Sequence, residues 1–383
     1  MSAPIRYPVN PPFSVEEAAA KLTNKDYQTS PIAREFVQIA PYDPDYAFTH
    51  QQGMAMFKDK LYVIFSRGYA HEDFPGQEMV VVSSDDFYHW SEPKVIGPCH
   101  KGTYGETTII TGSLYNRGDR LIAYFAEHDW CAAKFTENGF SHDQPTAGTK
   151  SWMWMTYTED GETWSAPVPS PGNAHESPRQ TLTGEWLASW GDGVLFSDAE
   201  TPDGSDWVWN CLNEEQRQFG YAQGAKMLGE CSWYQLDDGV INMLIRNDMM
   251  LDGQQIFNAM LSQSYDGGRT WTDPYRCENF RIDWQMVNTG RLPDGRFYFV
   301  STTALNRQYG RYPLILLVSE DGYDFTRGYT LRDELHDLQQ QGWSKGGEYG
   351  YPEVLIHGEY MYIVTSRLKE VVEVTRVKLS EIQ

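Results

Sequence analysis

The sequence has no long apolar run, no paired cysteines and no visible leader segment. No apolar run approaches the roughly 18 residues of a membrane-spanning helix, so no span of that kind is predicted. The five cysteines lie far apart and form no C-x-x-C pair, which argues against a disulfide framework or a structural zinc site. Residues 1–10 lack a basic segment followed by an apolar one, so we expect a cytoplasmic protein, or a secreted one if a signal peptide has been removed.

Basic residues are too few to balance the acidic ones. Lys and Arg total 31 and Asp and Glu total 53, which gives a formal net charge of −22. A surface this acidic repels the phosphates of nucleic acids and anionic lipid headgroups, so neither is expected as a partner. The sequence also lacks a phosphate-binding glycine loop and any metal-binding spacing of histidines, so we predict no cofactor and no metal.

Aromatic residues, by contrast, are abundant. They make up 14% of the 383 residues, with 13 Trp and 24 Tyr. Disordered chains are poor in aromatics, so the composition predicts a folded protein with a large core. Aromatic rings favour strands, and they can also stack on sugar rings. Trp130, Trp284 and Trp343 fall in predicted loops, where each could contact a sugar or cover the edge of a sheet.

A unit of about sixty residues recurs along the chain. Each unit contains an apolar run, a Gly/Asp/Asn turn and a second apolar run, which is the pattern of a β-hairpin. With room for four short strands per unit and no long helices, six units predict an all-β fold, a six-bladed β-propeller of four-stranded blades. The first strands of the units begin near His50, Glu106, Glu176, Glu230, Val287 and Tyr351.

A turn that contains Asp and usually Gly follows the third predicted strand of several units. The clearest copy is Ser264–Trp271, and similar copies are Ser83–Trp90, Thr158–Trp164 and Ser319–Phe325. Asp and Gly are residues that favour turns, so we interpret these segments as scaffold at the rim of the blades. Residues 34–383 would form the propeller, closed by a strand near Glu35–Ile39, and residues 1–33 a short, partly helical N-terminal arm.

The S-x-D-x-G-x-x-W turn resembles the Asp-box of the sialidase superfamily, also known for its BNR repeats. The similarity extends over nearly the whole chain beyond residue 34, and it implies the six-bladed propeller of that family. The family includes hydrolases, lyases and non-enzymatic binding proteins, so the resemblance alone does not define a reaction.

In this family the active site lies on the propeller axis, where the inner strands begin. The corresponding positions here are polar and carry several carboxylates, which raise one another's pKa and suit proton transfer. The alternative is that these glutamates cap strands or pair with arginine at the wall. The candidates from this comparison are His50 with Gln51, Glu106, Glu176 with Arg179, Glu230 and Tyr351 with Tyr349.

Four positions of the sequence are similar to specific sialidase residues. Glu230 with Tyr351 resembles the nucleophile pair, and Arg246 and Arg311 resemble the second and third arginines that bind a carboxylate. The first arginine is missing, and His50 stands in its place within Phe48-Thr49-His50. That feature is similar to enzymes of the superfamily that act on rhamnosyl-glucuronate. The resemblance implies proton transfer by His50 or Glu106.

These observations predict an exo-acting glycoside hydrolase that releases a terminal sugar from an acidic oligosaccharide, with a uronate- or sialate-like group held by arginine. His50, Glu106, Glu230 and Tyr351 would be catalytic, and Gln51, Glu176, Arg179, Arg246, Arg311 and Tyr349 would bind substrate. Two alternatives stay open. One is a lyase that cleaves rhamnosyl-glucuronate-type linkages by β-elimination, and the other is a glycan-binding propeller without catalytic activity.

Overall fold

Six sheets of four strands surround a common axis in the computed structural model of the protein. It describes residues 5–131, 135–136, 139–140, 149–247, 249–251, 254–282, 284–303 and 310–383. The six-bladed propeller predicted from the repeats is therefore confirmed. The blades are numbered below from the first that the chain completes, and the strand of each blade nearest the axis is called its inner strand.

The first helix of the described chain is short, α1 (Val15–Lys21). Ser14 and Glu17 cap it reciprocally, as the sequence pattern predicts, because each side chain bonds to the backbone N–H of the other. Two strands follow, β1 (Gln28–Pro31) and β2 (Arg34–Ala40), and then a 3₁₀ turn, Pro44–Tyr46.

The first three blades are built almost entirely from consecutive strands. Blade 1 contains β3 (Phe48–Phe57), β4 (Lys60–Gly68), β5 (Glu78–Ser84) and β6 (Lys94–Gly97). Blade 2 has a small hairpin inserted after its second strand, and its elements are β7 (Thr108–Asn116), β8 (Leu121–Asp129), β9 (Phe135–Thr136), β10 (Gly139–Phe140), β11 (Lys150–Thr158) and β12 (Val168–Pro169). Blade 3 contains β13 (Arg179–Gln180), β14 (Trp186–Trp190), β15 (Gly193–Ser197) and β16 (Val208–Cys211).

A second helix, α2 (Glu214–Ala222), leads to the other half of the ring. Blade 4 and its inserted hairpin contain β17 (Gly229–Gln235), β18 (Ile241–Arg246), β19 (Met249–Leu251), β20 (Gln254–Ile256), β21 (Asn258–Ser264) and β22 (Tyr275–Arg281). Blade 5 contains β23 (Asn288–Arg291), β24 (Phe297–Ser301), β25 (Leu314–Ser319) and β26 (Arg327–Arg332), with β1 added in parallel at its outer edge. Blade 6 contains β27 (Tyr349–His357), β28 (Tyr360–Arg367) and β29 (Val371–Lys378), before a last 3₁₀ turn, Leu379–Glu381.

The fourth strand of blade 6 comes from the other end of the sequence. Strand β2 pairs antiparallel with β29, with Val37 opposite Val374. This confirms the predicted strand near Glu35–Ile39. Because β2 supplies the outer edge of the last blade, backbone hydrogen bonds between distant parts of the chain close the ring.

The recurring turns adopt one hydrogen-bonding pattern. In each of the four copies the Asp side chain accepts two backbone N–H groups of the turn, and a preceding Ser or Thr hydroxyl donates to that Asp. A carboxylate satisfied in this way stabilises a tight turn between two strands. The four Asp residues are Asp86, Asp160, Asp266 and Asp321.

Apolar side chains from neighbouring blades form the core. Between blades 6 and 1, for example, Val63 and Phe65 of β4 pack in one buried cluster with Val372 and Val374 of β29. Packing of this kind fixes the position of each inner strand at the axis. In the described part of the chain, no helix has the length and apolar character needed to cross a membrane.

Candidate active site

Three inner strands are distorted close to their first residues. The pairing registers of β3, β17 and β27 shift there, as in β-bulges. Gln51, Glu230 and Tyr351 lie inside these bulges, with φ angles of 56°, 48° and 52°. Such left-handed backbone is unfavourable for residues other than glycine, and bulges beside binding sites commonly redirect a side chain. All three residues line one cavity on the axis.

This cavity, called here the first cavity, has a volume of 710 Å³. Binding sites for small molecules commonly have volumes of about 300–1,000 Å³, so it could hold one or two sugar rings. Its wall combines arginine and lysine with carboxylates and a few apolar groups. The charged and aromatic residues among those that line it are Glu72, Asp73, His175, Glu230, Arg246, Trp284, Arg311, Lys345, Tyr351 and Lys369.

Glu230 and Tyr351 are in direct contact in the first cavity. The Tyr351 hydroxyl donates to Glu230 Oε1 at 2.5 Å, and Arg246 donates to Glu230 Oε2 and, at 2.9 Å, to the Tyr351 oxygen. Burial alone would raise the pKa of Glu230, but Arg246 and the Tyr351 hydrogen bond outweigh burial and lower it. Burial and the Glu230 charge raise the pKa of Tyr351 well above its ordinary value. A neutral phenol therefore faces a carboxylate at neutral pH.

Arg311 lies on the other side of the tyrosine. Its guanidinium carbon is 5.4 Å from the centre of the Tyr351 ring, and it donates a hydrogen bond to the Trp284 carbonyl. Its φ of 42° is again left-handed. The Trp284 side chain is 40% exposed and lines the same cavity.

The structure thus brings together five residues chosen from the sequence, and their roles stay predictions. They are Gln51, Glu230, Arg246, Arg311 and Tyr351.

The first cavity also contains four charged residues that the sequence reasoning did not place in the active site, namely Glu72, Asp73, Lys345 and Lys369. Asp73, in the segment after β4, is partly buried with φ 56° and lines the cavity with Glu72. Burial and the Glu72 charge raise the pKa of Asp73 to about 7, while Lys369 and Gln51 oppose the rise. Lys369, at the β28–β29 turn, binds Glu72 with its Nζ 2.7 Å from Oε2. The acidic segment His71–Asp73 is visible in the sequence, but its position facing the axis is not.

His50 lies behind the wall of the first cavity. Its side chain is fully buried, with the ring centre 4.3 Å from that of Tyr351 and Nδ1 2.6 Å from the Ser366 hydroxyl. Burial, and then the charges of Lys369 and two arginines, lower the pKa of His50 well below its ordinary value. His50 is therefore a neutral imidazole that packs against the Tyr351 ring. It is not among the residues that line the first cavity.

Two other predicted residues lie outside the first cavity. Glu106 is exposed, precedes β7 and pairs with Lys101 in an isolated β-bridge. Tyr349 is fully buried in the core between blades 5 and 6, where its hydroxyl donates to the Glu334 carbonyl at 2.9 Å. The structure therefore does not bring Glu106 or Tyr349 to the Glu230–Tyr351 pair.

Glu176 and Arg179 line a second cavity on the axis, of 340 Å³, farther along the same inner strands. Arg179 donates to the Thr289 and Trp233 carbonyls and to Glu176 Oε2. Glu353 of β27 approaches from the opposite side. Burial and the Glu176 charge raise the pKa of Glu353 to about 8, and burial also raises that of Glu176. The structure therefore does not bring Glu176 and Arg179 into one cavity with Glu230, and their predicted role in substrate binding stays a prediction.

The short segment 175–177 separates the two cavities. His175 lines the first cavity, whereas Glu176 and Ser177 line the second. The Ser177 N–H donates to Glu353 Oε1 at 2.9 Å, which fastens the segment across the axis. Among the described residues, no three His, Cys, Asp or Glu side chains are grouped so that they could hold a metal ion.

The ring and its hub define the protein as a propeller of the sialidase superfamily. Residues 76–363 match the family model described as BNR repeat-like domain. Because this match covers well over half of the 383 residues, the chain belongs to that family. No curated protein matches the sequence.

Several solved structures have a similar fold. A sialidase is 17% identical with a TM-score of 0.62, over 94% of this chain and 35% of its own, so the present chain spans about a third of that protein. The Hadza microbial sialidase Hz136 is 14% identical with a TM-score of 0.63, over 91% of this chain and 69% of its own. A Dyadobacter fermentans protein of unknown function is 15% identical with a TM-score of 0.61, over 90% of this chain and 99% of its own.

Proposed function

We propose that the protein is a glycoside hydrolase that releases a terminal acidic sugar, of the uronate or sialate class, from an oligosaccharide. The observation that carries this proposal is the contact between the Tyr351 hydroxyl and Glu230, which Arg246 fixes in the first cavity. A tyrosine is a known exception to the two-carboxylate rule of glycosidases. Several of the similar solved structures are those of sialidases, which supports the same class of reaction.

In the first step the Tyr351 oxygen attacks the anomeric carbon while the glycosidic C–O bond breaks. Glu230 accepts the phenol proton, which a tyrosine of raised pKa releases only as the new bond forms. A proton passes to the departing oxygen at the same time. In the second step water attacks the anomeric carbon, the bond to Tyr351 breaks, and the tyrosine regains its proton from Glu230.

We assign the proton donor of the first step to Asp73, which lines the same cavity. A general acid works best with a pKa near the operating pH, and burial raises the pKa of Asp73 toward neutrality. In the second step the Asp73 carboxylate takes the proton of the attacking water. His50, which the sequence suggested for this role, is buried behind Tyr351 and Glu106 is exposed elsewhere, so neither is as well placed.

The charge of the first cavity supports an acidic substrate. The protein has a net charge of −22, yet four cations line this one cavity beside three carboxylates. The cations are Arg246, Arg311, Lys345 and Lys369. Guanidinium groups bind carboxylates by charge-assisted hydrogen bonds, which would hold the acid group of the sugar. The exposed face of Trp284 at the same wall suits stacking on a sugar ring.

The test is incubation with a panel of uronate- and sialate-containing oligosaccharides, followed by product mass and ultraviolet absorbance. Hydrolysis adds one water to the products, and Tyr351→Phe abolishes it. Tyr349→Phe is the matched control, because it removes a hydroxyl two residues away on the same strand, in the core. Turnover by Tyr351→Phe equal to that of the unmodified protein would refute the proposal.

The same experiment distinguishes the alternatives. An ultraviolet-absorbing product without added water would show elimination. In that reaction the cations of the first cavity acidify the C5 proton of a uronate, Tyr351 removes it while passing its own proton to Glu230, and the glycosidic C–O bond breaks. Binding of glycans without cleavage of any would favour a binding protein. Neither result is expected, because Glu230 is a carboxylate in contact with the tyrosine and Asp73 is placed to protonate a leaving group.

A further inference from the structure

We propose that the Glu72–Lys369 ion pair is a positioning device that decides when Asp73 carries its proton. The inference rests on the proposed function only for its consequence in turnover, since the proton on Asp73 can be measured without a substrate. Three residues from two blades take part, and all three line the first cavity.

The side chains of Glu72 and Lys369 are in close contact, and both are largely buried. Lys369 Nζ lies 2.7 Å from Glu72 Oε2, and the exposed fractions of the two side chains are 5% and 17%. The other Glu72 oxygen, Oε1, is 3.7 Å from His50 Nε2. Glu72, Lys369 and Asp73 all line the first cavity, and the charges of both members of the ion pair act on the Asp73 carboxyl.

The backbone brings these groups together at a cost in conformational free energy. Leu368 and Lys369 are the central residues of the turn that, with Glu370, joins β28 to β29, and their φ angles are 53° and 54°. Turns of this hand favour Asn-Gly or Gly, because other residues are strained in left-handed backbone. Strained residues of this kind persist where a side chain must be held in one place.

A further hydrogen bond ties the turn to the first blade. The Thr49 N–H donates to the Lys369 carbonyl at 2.8 Å, and the Glu370 N–H closes the turn on the Arg367 carbonyl at 3.0 Å. Asp73 itself has φ 56°. The lysine and the acid are thus both fixed by strained backbone, one on each side of Glu72.

Asp73 meets charges of both signs in the first cavity. Burial and the charge of Glu72 raise its pKa, and the more distant Glu230 acts in the same direction. Lys369 lowers it by its positive charge, and Gln51 lowers it by a hydrogen bond. Asp73 Oδ1 is buried and accepts no hydrogen bond from the described residues, so within that part of the chain the charges around it are the main influence on this oxygen.

Because the two members of the ion pair have opposite charges, removing one or the other should shift the pKa of Asp73 in opposite directions. Removing the negative member leaves the lysine uncompensated, so Asp73 loses its proton at lower pH. Removing the positive member leaves Glu72 uncompensated, so Asp73 keeps its proton to higher pH. A residue that only supports the wall of the cavity would not produce shifts of opposite sign.

The experiment is an infrared titration of the Asp73 carboxyl, isolated by subtracting the spectra of Asp73→Asn proteins that are otherwise identical. We expect Glu72→Gln to lower the midpoint by about one pH unit, a tenfold change in proton affinity, and Lys369→Met to raise it by a similar amount. The double variant should return toward the unmodified midpoint. Lys369→Arg keeps the charge and serves as the control with little shift.

Shifts in the same direction, or no shift in Glu72→Gln, would overturn the inference. Because Glu72 is partly exposed and Gln has the same shape, this variant keeps the test decisive even if Lys369→Met does not fold. Where a substrate is turned over, the alkaline limb of kcat/KM should move with the infrared midpoint. Absence of turnover with shifted midpoints would refute the proposed function and leave this inference standing.

Discussion

The two cavities on the propeller axis are lined by similar side chains, but the backbone conformations of the lining residues differ. Both have buried carboxylates and arginine on their walls. Of the residues that line the first cavity, seven other than glycine have left-handed φ angles, and none of those that line the second does. Backbone strain therefore separates the two sites where polar composition does not. The seven residues are Gln51, Asp73, Glu230, Arg311, Ser344, Tyr351 and Lys369.

In the second cavity, the polar side chains form hydrogen bonds with other groups of the protein. Arg179 donates to two backbone carbonyls and to Glu176, and Glu353 accepts from the Ser177 N–H and from Asn288. These bonds join blades 3, 4, 5 and 6 across the axis. We interpret the second cavity as a structural junction and the first as the reactive site, and paired substitutions can test that comparison.

The largest difference is expected for a pair of glutamates. Glu230→Gln removes the base that accepts the Tyr351 proton, so kcat on an acidic oligosaccharide should fall about 10³-fold. Glu353→Gln makes the equivalent change in the second cavity and should leave kcat unchanged. Steady-state kinetics of the two folded variants measures this. Equal losses in both would end the distinction between the cavities.

A pair of arginines should give the next largest difference. Arg311→Gln removes a cation from the wall of the first cavity, and loss of a charge-assisted hydrogen bond should raise KM for an acidic substrate about 10- to 100-fold. Arg291→Gln in the second cavity, where Arg291 binds Asp237, is the control with an unchanged KM. If Arg311→Gln affects a neutral glycoside just as much, the arginine does not recognise the acid group.

The pH dependence of activity should follow Asp73. A general acid must hold its proton, and its pKa is raised to about 7, so kcat/KM should fall about tenfold per pH unit above that value. On the acid side, activity should persist below pH 4.5, the ordinary pKa of a glutamate, because the pKa of Glu230 is lowered. A profile without an alkaline limb would exclude Asp73 as the acid, and Asp73→Asn should lack that limb in any residual activity.

The smallest effects concern stability, and they have opposite signs in the two cavities. The folded chain holds a proton on Glu353 with a pKa of about 8 against 4.5, so stability is lost as pH rises between these values. Glu353→Gln should therefore raise Tm by a few degrees at about pH 8 and hardly change it at about pH 4.

Glu230 provides the matched contrast in the same measurement. Its pKa is lowered in the folded chain, so it contributes stability above pH 4.5 that is lost as pH falls through the folded value. Glu230→Gln should lower Tm at neutral pH. If both variants shift Tm in the same direction as pH rises, the two carboxylates do not differ as described.

The sequence predicts the ring and part of the site, for identifiable reasons. Hairpin repeats define six blades, and residues at inner strand starts, such as Glu230 and Tyr351, meet because every blade begins at the axis. Depth along the axis is not visible in the sequence, so it does not indicate that Glu176 and Arg179 line a different cavity from Glu230. Strand alternation would place Tyr349 beside Tyr351, but the bulge in β27 breaks that register.

The pairing of β2 with β29 must form before the first cavity can have its final geometry. Strand β2 and its partner, Val371–Lys378, are separated by all the other strands of the propeller in the sequence. Individual blades can form earlier from local hairpins, because contacts between near neighbours form fastest. Blade 4 carries Glu230 and blade 6 carries Tyr351. The distance between these blades becomes fixed only when β2 pairs with β29 and closes the ring. A chain without β2 should consequently lose the fixed contact between Glu230 and Tyr351, although it contains both residues.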